Sequence, residues 1–270
     1  MRRRGLDRGR RSTSAALSHN RHVVLAARCD WELGPELPPS PDGTVHVWWA
    51  DLSSAELPLT QMLCASERER AARLLSEHRR ELWARSRAVL RDLLGRYLQR
   101  EPAAITISSG SRGKPQLADA ELFFNLSHSG NVALYAFSRM GSVGVDVEVA
   151  ARRAVDEVAI AARVLGEHQA QRLREISGPR ERQLEFLRAW TRHEAALKCA
   201  GVGLFGAGVA DGHTREPWLA QLELASGQQM AAALACERRP RELRCWRWCH
   251  AGGSAEASQR HEPPATRPMN

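Results

Sequence analysis

The spacing of hydrophobic and polar positions changes several times along the chain, and each change marks an element. Residues 44–50 (Thr-Val-His-Val-Trp-Trp-Ala) are β-branched and aromatic and predict a strand entering a first core. From residue 66 to 99 the apolar positions Leu74, Leu75, Leu82, Val89, Leu90, Leu93, Leu94 and Tyr97 keep a helical period. Arg68, Arg70, Arg73, Arg79, Arg80, Arg85, Arg87 and Arg91 occupy the other faces, which predicts a largely solvated basic surface. A short strand is expected at 105–107, then a turn through Ser109-Gly-Ser-Arg-Gly-Lys-Pro115. An apolar strand end breaks into small polar residues at Phe123-Phe-Asn-Leu-Ser-His-Ser-Gly130. Residues 132–138 and 143–149 alternate as the two arms of a hairpin with Met140-Gly141 at its turn. Helices are expected at 155–175 and 179–199, and strands at 218–224, 230–236 and 243–249, with Gly227 and Pro240 at the turns.

This order of strand, helices and strands, followed by the same again, predicts an α+β protein of two halves of similar build. The halves span 44–140 and 141–250. A basic arm and proline-rich linker, expected to be irregular, precede them at 1–43, and a Gly/Ser/Pro/His tail follows at 251–270.

The helix at 179–199 carries the most specific pattern. Pro179 stands at the first helical position, where no N–H partner is needed, and Gly201 can close the helix in a left-handed conformation. Leu184, Leu187, Trp190 and Leu197 draw an apolar stripe, and Glu194 falls on it, one turn before Lys198. A carboxylate aimed into a core is costly unless a cation or several donors meet it. Taken alone, Glu194 and Lys198 also read as an ordinary i,i+4 surface pair.

Charge narrows the choice of function. The net charge is +8, but residues 1–28 hold eight arginines against one aspartate, leaving about +1 for the remaining 242 residues. The basic character belongs to the arm, and the folded part is not expected to bind nucleic acid. Of 39 basic residues, 37 are arginine; the two lysines are Lys114 and Lys198. Arginine and lysine are not interchangeable where a compact cation is required, so both lysines are candidate site residues. The six cysteines include no C-x-x-C pair, which fits reduced thiols rather than a zinc site or a disulfide framework. Neither a run of about 18 apolar residues nor a secretory pattern is present, and a cytoplasmic protein without a membrane segment is expected.

The segment Gly144-Val-Asp-Val-Glu148 places Asp146 and Glu148 on one face of a strand and valines on the other. Adjacent like charges repel unless a cation lies between them, although a solvated acidic edge is the plainer reading. With Glu194 added, three carboxylates without histidine or cysteine companions form a magnesium-like ligand set. Magnesium held this way usually carries a phosphorylated substrate.

The segments Gly113-Lys-Pro115, Asn125-Leu-Ser-His-Ser129, Gly144-Val-Asp-Val-Glu148 and Trp190-Thr-Arg-His-Glu-Ala-Ala-Leu-Lys198 stand in the order and approximate spacing of one family. Over roughly residues 44–250 the chain resembles the surfactin-synthetase-type 4′-phosphopantetheinyl transferases. The resemblance implies two pseudo-symmetric α/β subdomains with the active site in the cleft between them. It implies transfer of the 4′-phosphopantetheine arm of coenzyme A to a serine of an apo acyl or peptidyl carrier protein, with release of 3′,5′-ADP. Carriers of polyketide, nonribosomal peptide or fatty acid synthases are the expected partners, and a monomer the expected state. By the same resemblance Asp146, Glu148 and Glu194 would hold Mg²⁺, and Lys198 would neutralise the leaving oxygens. Lys114, Ser127 and His128 would hold phosphates, and Arg70 with Arg80 or its neighbour Arg79 the 3′-phosphate. Two departures stand out. His193 replaces a lysine common in relatives, and Gln169, two residues after Glu167, aligns where a glutamate base is often found. The alternative function, from another class, is a nucleotide- or RNA-binding module that uses the basic arm.

Overall fold

A computed structural model of the chain describes residues 25–27, 29–53, 59–110, 113–118, 121–150, 155–201, 216–224 and 230–250. The chain is α+β, with two main sheets, each faced by one long helix. The strands in chain order are β1 (Leu25–Ala27), β2 (Glu32–Leu33), β3 (Thr44–Asp51), β4 (Ile107–Ser109), β5 (Pro115–Leu117), β6 (Phe123–Ser129), β7 (Val132–Ser138), β8 (Val143–Val149), β9 (Trp218–Leu222), β10 (Met230–Cys236) and β11 (Glu242–Arg247). The helices are α1 (Leu59–Met62), α2 (Ala65–Ala72), α3 (Glu77–Leu98), α4 (Glu157–Val164), α5 (Glu167–Glu175) and α6 (Pro179–Ala200).

One sheet has the order β2-β11-β3-β7-β6 and the other β1-β9-β10-β8; β4 and β5 form a separate hairpin. Alternation along the strands sorts side chains into layers. Val45, Val47, Leu134 and Ala136 meet Val143, Val145 and Val147 in a core shared by the two sheets. On the far side of the first sheet Trp48, Ala133, Tyr135 and Phe137 pack on Val89, Leu90, Leu93 and Leu94 of α3. On the far side of the second, Ala233 and Ala235 pack on Ala195 and Cys199 of α6.

β3, β6 and β7 share the first sheet and β8, β9 and β10 the second, while others reach across residue 140 or in from the arm. β11, from the second half of the chain, lies between β2 and β3 and runs parallel to both. β1, expected within an irregular arm, pairs with β9 in the other sheet. β1 has three residues and a non-local pairing, so no local pattern announces it; β11 is expected as a strand from its alternation, but its place in the first sheet is not. The rest of the arm, residues 1–24, and the tail at 251–270 lie outside the described residues.

Two predicted helices are broken. The 66–99 segment bends between α2 and α3, where Ser76 caps the second helix by accepting from the Arg79 N–H at 3.4 Å. The 155–175 segment breaks at Gly166, whose φ of +93° suits glycine. α6 has its expected limits, with Pro179 in its first turn and Gly201 left-handed at φ +67°.

The arginines of α3 are not all solvated. Arg87 and Arg91 converge on Glu67 of α2, and Arg91, 2% exposed, also donates to the carbonyls of Pro102 and Ile105. Arg85 donates to the carbonyls of Leu52 and Ser53, and Arg96 to that of Cys249. Three of these cations, Arg85, Arg91 and Arg96, thus close loops onto the helix, because a buried carbonyl without a donor is costly.

His46, 1% exposed, sits in a second buried network. Trp48 Nε1 donates to Tyr97 Oη at 2.9 Å, and Tyr97 Oη lies 2.8 Å from His46 Nδ1. A phenol that accepts from Trp48 has its own proton for Nδ1, which leaves the Nε2 proton for Thr44 Oγ1 at 3.1 Å. Burial, and after it the charge of Arg244, lower the His46 pKa to about 4.

Two stability effects follow. The folded pKa of His46 is below the unfolded value of 6.5, so its contribution is intact above that pH and is lost as pH falls toward 4. The loss should total about 3 kcal/mol, read as a falling urea midpoint between pH 7 and pH 4, and His46→Gln should flatten that slope. Glu67→Ala leaves Arg91 buried without its carboxylate and should cost about 3–5 kcal/mol in the same assay at neutral pH.

Candidate active site

The site is built where β6, β8 and α6 meet. β6 and β8 belong to different sheets yet lie side by side, joined by side chains. Asn125 Oδ1 accepts from the Val145 N–H at 2.9 Å, and Ser129 Oγ from the Val149 N–H at 3.2 Å. Ser127 Oγ donates to Asp146 Oδ1 and Ser129 Oγ to Glu148 Oε2, both at 2.8 Å. The near-constant offset of 19–20 residues means that the strands run in the same direction. The Asn-Leu-Ser-His-Ser segment therefore acts as a seam: its odd-numbered residues serve both the backbone and the carboxylates of β8.

From the other side α6 approaches β8 closely. A Cβ on Gly144 would lie 2.1 Å from the Ala195 carbonyl oxygen and 2.4 Å from the Cys199 nitrogen. No side chain fits between the two backbones, so Gly144 sets their separation. This contact brings Lys198 Nζ to 2.6 Å from Asp146 Oδ1, 3.0 Å from Ser127 Oγ and 3.3 Å from the Val145 carbonyl. Lys198 pairs with Asp146 across the helix–strand interface rather than with Glu194 along the helix.

Asp146 and Glu194 are buried, at 3% and 6% exposure. Asp146 Oδ2 and Glu194 Oε1 are both buried without a hydrogen-bond partner. Burial, then the Asp146 charge, raise the Glu194 pKa; Lys198 opposes them and Glu148 adds to them. Burial likewise raises Glu148, Ser129 opposes it, and Asp146 adds to it. Each carboxylate feels its neighbours, as expected of a cluster in need of positive charge. Among the described residues no group of three or more His, Cys, Asp or Glu side chains is arranged to hold a metal ion. The structure offers instead two carboxylate oxygens without donors, with Glu148 tied to Ser129. Two carboxylates completed by water and substrate phosphate is a usual arrangement for magnesium, so the donor set fits that ion.

The other candidates are placed differently. His128 is exposed on β6, next to Ser127. Arg70 and Arg80 are exposed on α2 and α3; Arg70 lies over the Trp83 ring at 5.5 Å, and Arg80 donates to the Leu74 carbonyl at 3.0 Å. Lys114 is at the end of α6, where it donates to Ser142 Oγ, Val143 O and Cys199 O. His193 is half-buried beside Trp190, and desolvation lowers its pKa, which favours a neutral ring at pH 7. Glu167 is exposed and pairs with Arg174 at 2.6 Å, whereas Gln169 Nε2 is buried without an acceptor. Ser129 and Asn125 were quoted in the sequence motif without a role; their fixed two-residue spacing on a strand is the signal that places them with Ser127 on one face.

Sequence comparisons give the family. A family model described as the 4′-phosphopantetheinyl transferase superfamily matches residues 142–250, which hold β8 and α6. The chain is 37% identical over 168 residues to the 4′-phosphopantetheinyl transferase HetI of Nostoc sp., covering 59% of this chain and 70% of that protein. It is 31% identical over 165 residues to a putative 4′-phosphopantetheinyl transferase of Synechocystis sp., covering 60% and 66%. It is 38% identical over 125 residues to AcpT of Salmonella typhimurium, named as the same kind of transferase, covering 46% and 60%. These matches define an enzyme of the transferase class. The chain belongs to the 4′-phosphopantetheinyl transferase family.

Gly144→Ala forces α6 away from β8 and should lower the unfolding free energy by about 1–3 kcal/mol. A denaturation midpoint equal to that of the unaltered protein would show that the close approach is not required.

Proposed function

We propose that this enzyme transfers the 4′-phosphopantetheine of coenzyme A to the hydroxyl of a conserved-position serine in an apo carrier protein and releases 3′,5′-ADP. The observation that carries this reading is the pair of donorless buried oxygens, Asp146 Oδ2 and Glu194 Oε1, beside the Lys198 ammonium. A buried acceptor of this kind is costly unless a cation meets it. Asp146 and Glu194, with Glu148 behind them, would hold Mg²⁺ against the pyrophosphate. The ion supplies charge neutralisation of that pyrophosphate.

Phosphoryl transfer depends on positioning and on neutralising charge at the transferring group. Lys198, 28% exposed at its side chain, is fixed by Asp146 and Ser127 and would turn its third N–H, now on the Val145 carbonyl at 3.3 Å, to the leaving oxygen. Ser127 orients Asp146, and exposed His128 on the same strand faces the nucleotide's phosphates. Arg70 and Arg80, both exposed, are assigned to the 3′-phosphate. The serine proton goes to Glu194 or to a second carboxylate, directly or through water; Glu167 on α5 is the candidate outside the magnesium set. The two halves are read as pseudo-symmetric subdomains with this site between them, in a monomeric cytoplasmic enzyme. Carriers of polyketide, nonribosomal peptide or fatty acid synthases are the partners. No helix among the described residues is long and apolar enough to cross a membrane.

The test is transfer itself. Apo carrier protein incubated with coenzyme A, Mg²⁺ and enzyme should gain one phosphopantetheine by mass spectrometry. Asp146→Ala and Glu194→Gln should each lower the rate by about a hundredfold or more, and Glu167→Gln tests the base. Removing residues 1–24, which leaves β1 and β2 in place, should leave transfer unchanged; an arm-driven nucleotide or RNA binder would instead lose its affinity and its steep salt dependence. No mass gain with any of several carriers and folded enzyme would refute the proposal.

A further inference from the structure

Lys114 is one of two lysines in a chain with 37 arginines, and its ammonium is fully engaged by protein. It donates to Ser142 Oγ at 2.6 Å, to the Val143 carbonyl at 2.8 Å and to the Cys199 carbonyl at 3.3 Å. An ammonium has three N–H donors, and these three acceptors use all of them. Ser142 Oγ in turn donates to the same Cys199 carbonyl at 2.5 Å. Ser142 is held by Glu237, which accepts from its N–H at 3.0 Å and donates its own N–H to the Ser142 carbonyl at 2.9 Å.

The Cys199 carbonyl lies in the last turn of α6, where carbonyls have no intrahelical donor and a cation is favoured by the helix dipole. Val143 opens β8. The next residue on each element belongs to the site's framework. Lys198 directly precedes Cys199 and reaches Asp146; Gly144 directly follows Val143 and touches the α6 backbone. The node joins the β4–β5 hairpin end, the start of β8 and the end of α6, one residue along the helix from Lys198 and one along the strand from Gly144. Three acceptors grouped around one nitrogen suit a compact ammonium and not a planar guanidinium, which accounts for a lysine here in an arginine-rich chain.

We propose that Lys114 is a positioning residue: it clamps the last turn of α6 to the start of β8 and so sets the Glu194–Lys198 face against Asp146, instead of contacting a phosphate of the substrate. The kinetic part of this inference rests on the transferase reading given above.

The test compares Lys114→Met, Lys114→Arg and Ser142→Ala in the full-length enzyme, by steady-state kinetics and by amide hydrogen exchange of residues 195–201. A clamp predicts that both lysine variants lower kcat by about tenfold or more while the KM for coenzyme A stays within about twofold. Ser142→Ala, which leaves the lysine charge in place, should lower kcat in the same sense. Exchange in the last turn of α6 should accelerate by about tenfold in all three. A phosphate contact predicts the reverse: Lys114→Met raises KM, Lys114→Arg behaves like the unaltered enzyme, Ser142→Ala is silent and exchange is unchanged. That result overturns the proposal. Should Lys114→Met fail to fold, Ser142→Ala and Lys114→Arg decide it alone. Should the unaltered enzyme transfer nothing, the transferase reading fails while the exchange measurement still decides the clamp.

Discussion

The arrangement depends on one close approach, that of the α6 backbone to β8 at Gly144. A helix normally stands off a sheet by the depth of its side chains. Here Ala195 and Cys199 on the helix meet Ala233 and Ala235 on the sheet, and Gly144 removes the last obstruction. Glu194 and Lys198 are thereby brought to the level of a strand whose outward residues are themselves carboxylates. With a larger residue at 144, the Lys198–Asp146 pair would open and Asp146 would be left buried without its cation. Stability and chemistry are therefore set by the same contact.

The two sheets are joined by a different device. A β-ladder between β6 and β8 would have used the backbone alone and left side chains free. Instead Asn125, Ser127 and Ser129 supply the bonds, so the seam itself orients Asp146 and Glu148. Polar residues on a buried strand are costly unless satisfied, and each of these is satisfied by a site residue or by its neighbouring amide.

Much of this was legible in the sequence because it is local. Pro179 and Gly201 bracket α6, the valines of β8 face the shared core, and Asp146, Glu148, Glu194 and Lys198 declare themselves by spacing. Less was legible where side-chain size or partner choice decides. The stripe of Leu187 and Trp190 turns toward α4 and α5, and small residues that a hydrophobic count underweights make the contact with the sheet. Arg85, Arg87 and Arg91 read as surface residues because nothing in their spacing reveals a distant carbonyl or Glu67. Lys114 looked like a phosphate ligand from its glycine-proline setting, yet its acceptors come from residues 28, 29 and 85 positions away.

The exchange of strands between the sheets bears on how the chain is made. Among the described residues β2 pairs with β11 alone, and β3 meets β11 on one side. β1 waits for β9 in the same way. During synthesis the first sheet consequently stays open at β3 until the final strand has left the ribosome. Pairings so distant in sequence form late and slowly, and the unfilled edge of β3 is a place for another chain to pair in the interval. A sheet in which β2 and β3 are joined only through β11, the last strand among the described residues, is completed late, and its yield in a cell depends on how long that edge is shielded.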